Sequence, residues 1–295
     1  MTITASNISY WIGQQPILHR LSFNIVPGQL TVVLGQNGAG KSTFLKILSG
    51  EQRPTMGRVL LGNSDLHRIP VHKLATMRAV LSQQYAVALG FSCEEIVLMG
   101  RYPHYGSRPA EADWQIVRQC MDEMQVSHLA SRPYQSLSGG EQQRVQLARV
   151  LAQLTPADAV HKTGAYARNE GILLLDEPTS NMDILYQQLC LTKARELARR
   201  GYTVVVILHD LNLAAQFADT ILLLKAGRMV QYGTVAEVLQ PSFIAEAYGL
   251  EVDLVETPEH GFPIIVPAAY RTNDATNDDN NFCYECSTTT YDIKR

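Results

Sequence analysis

The chain has 295 residues, 46% of them hydrophobic, and a net charge of −3. That length allows one large domain or two modest ones with ample core, and the lack of a basic excess excludes an electrostatic footprint for nucleic acid. The longest apolar runs, such as Thr203–Leu208 and Ile221–Leu224, fall far short of the roughly 20 residues needed to cross a bilayer.

The N-terminal Met1-Thr2-Ile3-Thr4 lacks the basic-then-apolar pattern of a signal peptide, so the chain is expected in the cytosol, with any membrane attachment made through a partner. Ile3–Ser9 and Ile17–Val26 read as short strands, with turn signals at Gly13 and Pro27-Gly28. Leu30–Leu34 reads as a strand, and Lys41–Ser49 as a helix that stops at Gly50. Arg58–Gly62 and Ala79–Ser82 are further short strands, the second delivering Gln83 and Gln84. From about Phe91 the pattern turns helical. Ser92-x-x-Glu95 has capping-box spacing and opens Glu95–Gly100; Trp114–Met124 and Glu141–Leu154 follow.

Thr155–Gly171 is polar and turn-rich, longer than ordinary loops, and is expected to be a surface insertion. Ile172–Asp176 and Thr203–Leu208 read as buried strands around a helix over Leu185–Arg200. Ile221–Leu224 and Met229–Tyr232 flank Lys225-Ala226-Gly227-Arg228, a hairpin signal. Val235–Leu239 and Pro241–Tyr248 look helical. Alternating strands and helices predict an α/β core with a largely parallel sheet. The Asn/Asp-rich Thr272–Asn281 is expected to lack stable order. Five cysteines form no disulfide framework. Cys93, Cys120 and Cys190 fit buried thiols, and the C-x-x-C of Cys283 and Cys286 supplies only two metal ligands.

Three strings carry chemistry. Gly35-Gln36-Asn37-Gly38-Ala39-Gly40-Lys41-Ser42 fits the phosphate-cradling loop between a strand and a helix. Its glycines let backbone N–H groups turn toward phosphate oxygens, and the helix start adds partial positive charge. Lys41 is placed to reach the β- and γ-phosphates and Ser42 to ligate Mg²⁺. Ile172–Glu177 is an apolar strand ending in two carboxylates. Asp176 is placed to hold Mg²⁺ or its water, and Glu177 to accept a proton from an attacking water. Leu137-Ser138-Gly139-Gly140-Glu141-Gln142-Gln143-Arg144 puts a hydroxyl and two glycines at a helix start, where several N–H groups face an anion. Ser138-x-x-Glu141 is also a capping-box spacing, but such a box does not need both glycines.

With these strings in this order, residues 1 to about 270 resemble the ATP-binding subunit of an ATP-binding-cassette (ABC) transporter. The resemblance implies a P-loop NTPase fold of class α/β, with a mostly parallel sheet, an N-terminal antiparallel β subdomain and an inserted α-helical subdomain at about residues 91–154. The surface insertion spans about 155–171, and 271–295 is a polar tail. In the family, Gly35–Ser42 with the following Thr43 is the Walker A loop, Leu137–Gln142 the signature motif and Ile172–Glu177 Walker B. Gln83 matches the Q-loop glutamine that touches Mg²⁺, although the adjacent Gln84 leaves the register open. Ser180-Asn181-Met182-Asp183 matches the D-loop, where a small residue and Leu more often precede the Asp. His209 matches the switch histidine that contacts the γ-phosphate. The family usually stacks an aromatic residue on adenine; by register that position is Ile12, with Tyr10 and Trp11 nearby, and pleat alternation lets only one of those two face the pocket.

The resemblance also implies ATP bound between Walker A of one copy and the signature motif of a second. One of each per chain suits a two-fold homodimer with two complete sites. Short single-cassette chains of this family resemble importer subunits at the cytoplasmic face of the bacterial inner membrane, working with a permease dimer and, indirectly, a periplasmic binding protein. Val97–His104 resembles the iron-siderophore, vitamin B12 and haem branch. Glu256–Pro267 resembles haemin importers, with siderophore or cobalamin importers as the nearest rivals. His67, His72, His104 and His128 read as surface or core residues rather than haem ligands. A soluble ABC ATPase of DNA repair or translation would more often carry two cassettes or long coiled coils, and the chain has no sustained heptads. A small nucleotide kinase would need an Arg-rich lid in place of the Leu137–Arg144 string.

Overall fold

The computed structural model describes residues 1–82, 90–156, 170–256, 259 and 261–268. The chain opens with β1 (Ile3–Ile12) and β2 (Gln15–Ile25), then β3 (Leu30–Gly35) and α1 (Lys41–Leu48), then β4 (Met56–Leu61) and β5 (Ser64–Asp65). After α2 (Val71–Met77) and β6 (Arg78–Leu81) come α3 (Cys93–Met99), α4 (Glu111–Glu123) and α5 (Gly139–Leu154). The chain then alternates through β7 (Ile172–Asp176), α6 (Ile184–Arg199), β8 (Thr203–Ile207) and α7 (Leu211–Phe217). It ends in β9 (Thr220–Lys225), β10 (Arg228–Thr234), α8 (Val235–Val238), α9 (Pro241–Tyr248) and a last pair, β11 (Val252–Glu256) and β12 (Pro263–Pro267).

The strands form two main sheets. One is antiparallel in the order β2-β1-β4-β5; the other runs β10-β9-β3-β8-β7-β6 and is parallel except for the β9–β10 hairpin. The central strands are buried on both faces, as parallel strands covered by other layers must be. Successive side chains serve different cores. Val32, Leu173, Val206 and Leu223 point into a core shared with α3–α6, while Val33, Leu174, Val205 and Leu222 join Phe44 of α1 and the inward residues of β1, β2 and β4. The second sheet is thus sandwiched between the antiparallel sheet with α1 and the helical block.

Several elements went unsignalled in the sequence, for physical reasons. α2 buries only Leu74, so it carries no apolar stripe. α7 spans seven residues, too few to establish a period, and its start is set by the Asp210 carboxylate accepting from the Asn212 and Leu213 N–H groups. The β11–β12 pair is joined by no tight-turn signal. The expected capping boxes form at Ser92/Glu95 and Ser138/Glu141. Cys93, Cys120 and Cys190 are buried free thiols, and burial pushes those of Cys120 and Cys190 up to about 12. No helix among the described residues is long and apolar enough to cross a membrane. Most of the expected insertion, the tail with Cys283 and Cys286, and Gln83 lie outside the described residues.

Candidate functional site

Three neighbouring strands, β3, β8 and β7, end side by side: Val33 pairs with Ile207, and Ile207 with Asp176. Their carboxyl ends open where doubly wound sheets bind ligands. From β3 emerges Gly35 and the loop to α1, from β7 the Asp176-Glu177 pair, and just beyond β8 His209. A cleft of about 600 Å³ forms there, lined by Gln15, Ile17, Asn37, Gly38, Gly40, Lys41, Ser42, Thr43, Glu177 and His209.

The loop from Gly35 to Gly40 wraps around the Lys41 side chain. Lys41 Nζ donates to the carbonyls of Gly35 at 2.8 Å and Gln36 at 3.1 Å. The side chain is buried, and that burial lowers the ammonium pKa, opposed by the charges of Glu177 and Asp176. Two glycines are required by space as well as by backbone shape. At Gly35 (φ +150°) a Cβ would lie 2.4 Å from the Leu224 carbonyl oxygen; at Gly40 (φ +94°) it would lie 3.0 Å from the Ile17 carbonyl oxygen and 2.8 Å from a Leu18 methyl. Ala39 is buried, and its N–H closes a turn onto the Gln36 carbonyl at 3.1 Å. Outside the loop, the Gly35 N–H donates to the Tyr248 hydroxyl at 3.0 Å. Tyr248 lies 213 residues along the chain, and no local pattern marks it.

Asp176 is buried, and this raises its carboxyl pKa, opposed by a hydrogen bond with Ser42. Its Oδ1 is buried without a hydrogen-bond partner. A buried, unpartnered carboxylate oxygen beside a serine hydroxyl is the donor chemistry a hard divalent cation takes, so Asp176 and Ser42 fit Mg²⁺. Glu177 sits at φ +50°, an unusual conformation for a residue with a side chain. The turn after it holds the geometry: Ser180 Oγ and the Ser180 N–H donate to the Glu177 carbonyl at 2.9 and 3.2 Å. The Glu177 side chain thereby meets His209, with Nε2 2.5 Å from Oε1. A carboxylate only accepts, so this contact has the His209 Nε2–H donating.

Ser138, Gly139 and Gly140 do not line this cleft. Ser138 caps α5: its Oγ lies 2.8 Å from Glu141 Oε2 and accepts the Glu141 N–H at 3.4 Å. The Gly139 and Gly140 N–H groups stand in the first turn, where no intrahelical acceptor exists. Gly140 packs on the turn that follows Glu177, where a Cβ would lie 2.9 Å from the Asn181 carbonyl oxygen. Around the position expected to meet adenine, Trp11 and Ile12 are exposed, Trp11 meeting His19 edge-on, while Tyr10 packs against the smaller core. None of the three lines the cleft; Gln15 and Ile17 do. The structure therefore unites the residues of the phosphate loop with Asp176, Glu177 and His209, and leaves the Ser138–Gly140 helix start outside the cleft lining.

Comparison with known proteins agrees with this geometry. The ABC transporter family profile matches residues 18–156. A protein named Hemin import ATP-binding protein HmuV from Gloeobacter violaceus is 43% identical over 267 residues, covering 90% of this chain and 94% of the relative. One of the same name from Pseudomonas aeruginosa is 45% identical over 264 residues, covering 90% and 99%. Among solved structures, an inward-facing ABC transporter described as of the metal-chelate type superposes with TM-score 0.74 at 27% identity, covering 91% of this chain and 97% of that one. A bacterial ABC transporter cassette solved as a dimer superposes with TM-score 0.67 at 26% identity, covering 79% and 98%. With relatives this similar along nine-tenths of its length, the chain belongs to the ATP-binding proteins of the ABC transporter family.

Proposed function

We propose that this chain is the energy-coupling ATPase of a haemin importer. It works as a homodimer on an integral membrane permease dimer at the cytoplasmic face of the bacterial inner membrane, supplied by a periplasmic haem-binding protein. The convergence of Lys41, Ser42, Glu177 and His209 on one cleft, with Asp176 behind them, carries the ATPase reading. The cargo rests on the names of relatives that match 90% of the chain. The catalytic unit is residues 1–270, and 155–171 and 271–295 are additions to it.

In this reading Lys41 exchanges the Gly35 and Gln36 carbonyls for the β- and γ-phosphate oxygens, and the loop N–H groups from Gln36 to Thr43 take the remaining charge. Ser42 and Asp176 would hold Mg²⁺, with Gln83 the further ligand that the resemblance implies, and the ion would neutralise phosphate charge. Glu177 takes the proton of the attacking water. His209 orients Glu177 through its Nε2–H and stands beside the γ-phosphate position. The Ser138 hydroxyl and the Gly139 and Gly140 N–H groups of a second copy close the site from the other side, so that ATP draws two copies together and hydrolysis releases them.

Glu177→Gln keeps the shape and removes the base. It is expected to bind ATP, hydrolyse at less than about a hundredth of the wild-type rate and run as a dimer in gel filtration with ATP and Mg²⁺. A variant that stays monomeric there ends the shared-site reading. The wild-type subunit, co-purified with its permease in liposomes, is expected to show ATPase stimulated by haem-loaded binding protein. Stimulation by ferric siderophore or cobalamin instead moves the cargo, and stimulation by none of the three ends the importer reading.

A further inference from the structure

α9 and the β11–β12 pair contact both sides of the cleft without lining it. On the phosphate-loop side, Tyr248 at the end of α9 makes two contacts. Its hydroxyl accepts the Gly35 N–H at 3.0 Å, and its carbonyl accepts Gln36 Nε2 at 2.6 Å. Lys41 Nζ holds the carbonyls of the same two residues from inside. The entry to the loop is therefore pinned in opposite directions. Burial pushes the Tyr248 phenol up to about 12, which keeps it neutral.

On the histidine side, Asn212 makes a two-point amide contact with β12. Its Nδ2 donates to the Ile265 carbonyl at 3.2 Å, and its Oδ1 accepts the Ile265 N–H at 2.8 Å. The side chain thus imitates a neighbouring strand. Asn212 stands in the first turn of α7, whose capping residue Asp210 directly follows His209. From Tyr248 the link to Ile265 runs through the pairing of two strands. β11 and β12 pair from Val252↔Pro267 to Glu256↔Pro263, the Ala268 N–H bonds the Glu251 carbonyl at 2.9 Å, and Val252 and Ile265 are buried in the larger core.

We propose that Tyr248 and Asn212 are positioning residues for ATP hydrolysis, and that the α9–β12 stretch is a brace setting the phosphate loop and His209 against one another. This rests on the ATPase reading above. The two grips have separable effects. Without the phenolic oxygen, Gly35 loses its acceptor and the loop relaxes before nucleotide arrives, which weakens binding. Without the Asn212 amide, α7 loosens and His209 drifts from Glu177, which slows the chemical step and spares binding.

The test uses full-length Tyr248→Phe, Asn212→Leu and Asn212→Asp, with steady-state ATPase, binding of a fluorescent ATP analogue and thermal melting. Tyr248→Phe is expected to raise KM and the analogue Kd about tenfold with kcat within about twofold of wild type. Asn212→Leu is expected to lower kcat about tenfold or more at unchanged KM. Asn212→Asp, which still accepts the Ile265 N–H but cannot donate to its carbonyl, is expected to fall between and carries the test if the leucine variant does not fold. Variants that leave both constants within about twofold, or that change kcat and KM together in step with Tm, overturn the brace. Failure of the ATPase reading looks different: wild type shows no hydrolysis, or Glu177→Gln hydrolyses as fast as wild type, while the Tyr248→Phe binding measurement still judges the loop-side grip.

Discussion

Glu177 sits in a backbone region that non-glycine residues rarely adopt, and its neighbours tie it there. Strain of this kind is stored where aim matters, and here it turns the carboxylate toward His209. The glycines of the phosphate loop are not interchangeable in the same sense. A Gly35→Ala methyl would press on the Leu224 carbonyl at 2.4 Å, and backbone there cannot swing away. Gly38 has φ +80°, but a Cβ there meets no atom within 4 Å. Gly38→Ala is therefore expected to cost only the backbone term, about 1–2 kcal/mol. Gly35→Ala is expected to lose several kcal/mol, roughly 3 or more when overpacking is added, together with measurable ATP binding. Urea unfolding and nucleotide titration of the two variants check the order; equal losses refute it. At this scale the sequence was readable wherever the chemistry came in contiguous strings. Lys41, Ser42, Asp176 and Glu177 could be named because a strand, a glycine loop and a helix sit next to each other in the chain. Tyr248 and Asn212 could not, because each acts on a partner that only tertiary folding brings near.

Among the elements, the helical block depends on one buried ion pair. Arg101, fully buried, donates through Nε to Asp113 Oδ1 at 3.0 Å and through Nη1 to the Ala152 carbonyl at 2.6 Å and to that of Thr155. It thereby joins α4 to the end of α5, while Asp113 Oδ2 accepts the Ala110 N–H at 2.9 Å. Asp113→Asn leaves the guanidinium without its counter-charge, a change that typically costs about 3–5 kcal/mol. Its urea midpoint is expected to fall accordingly, and a midpoint within error of wild type would show the pair to be dispensable. Helix caps make a pH-dependent contribution. Hydrogen bonds from the Thr234 backbone and side chain hold the Glu237 carboxyl below its ordinary 4.5. A lowered folded-state pKa means stability present above the unfolded value and lost as pH falls through the folded one. Glu237→Ala is thus expected to melt below wild type at neutral pH, with the gap closing as pH drops under 4.5; a gap that persists in acid contradicts the assignment. The two boxes at Ser92 and Ser138 were legible as spacings, whereas α2 and α7 were not, since a helix that buries one side chain or spans two turns leaves no period to detect.

For the whole molecule, the Ser138–Gly140 helix start lies outside the cleft lining, and in the proposed homodimer a second copy supplies it. Mixing provides a direct check. Lys41→Ala and Ser138→Arg each break one half of a shared site. In a mixed dimer both lesions fall in the same site and the other is intact. Each variant alone is expected to be inactive, and an equal mixture to recover up to about a quarter of wild-type ATPase, since half the dimers are mixed and each has one good site of two. No recovery on mixing would point to a site contained within one chain. The parallel core and its strand ends were foreseeable from alternation of apolar strands with helices. The proposed partner-facing arrangement rests on family resemblance, because a single sequence holds no record of which of its surfaces face each other across a symmetry axis.

Gly140 brings α5 so near Asn181 that not even a methyl group fits between helix and turn. Parts in such tight contact travel together. A displacement of the helical block is therefore carried to the turn after Glu177, the proposed base, with no slack along the way.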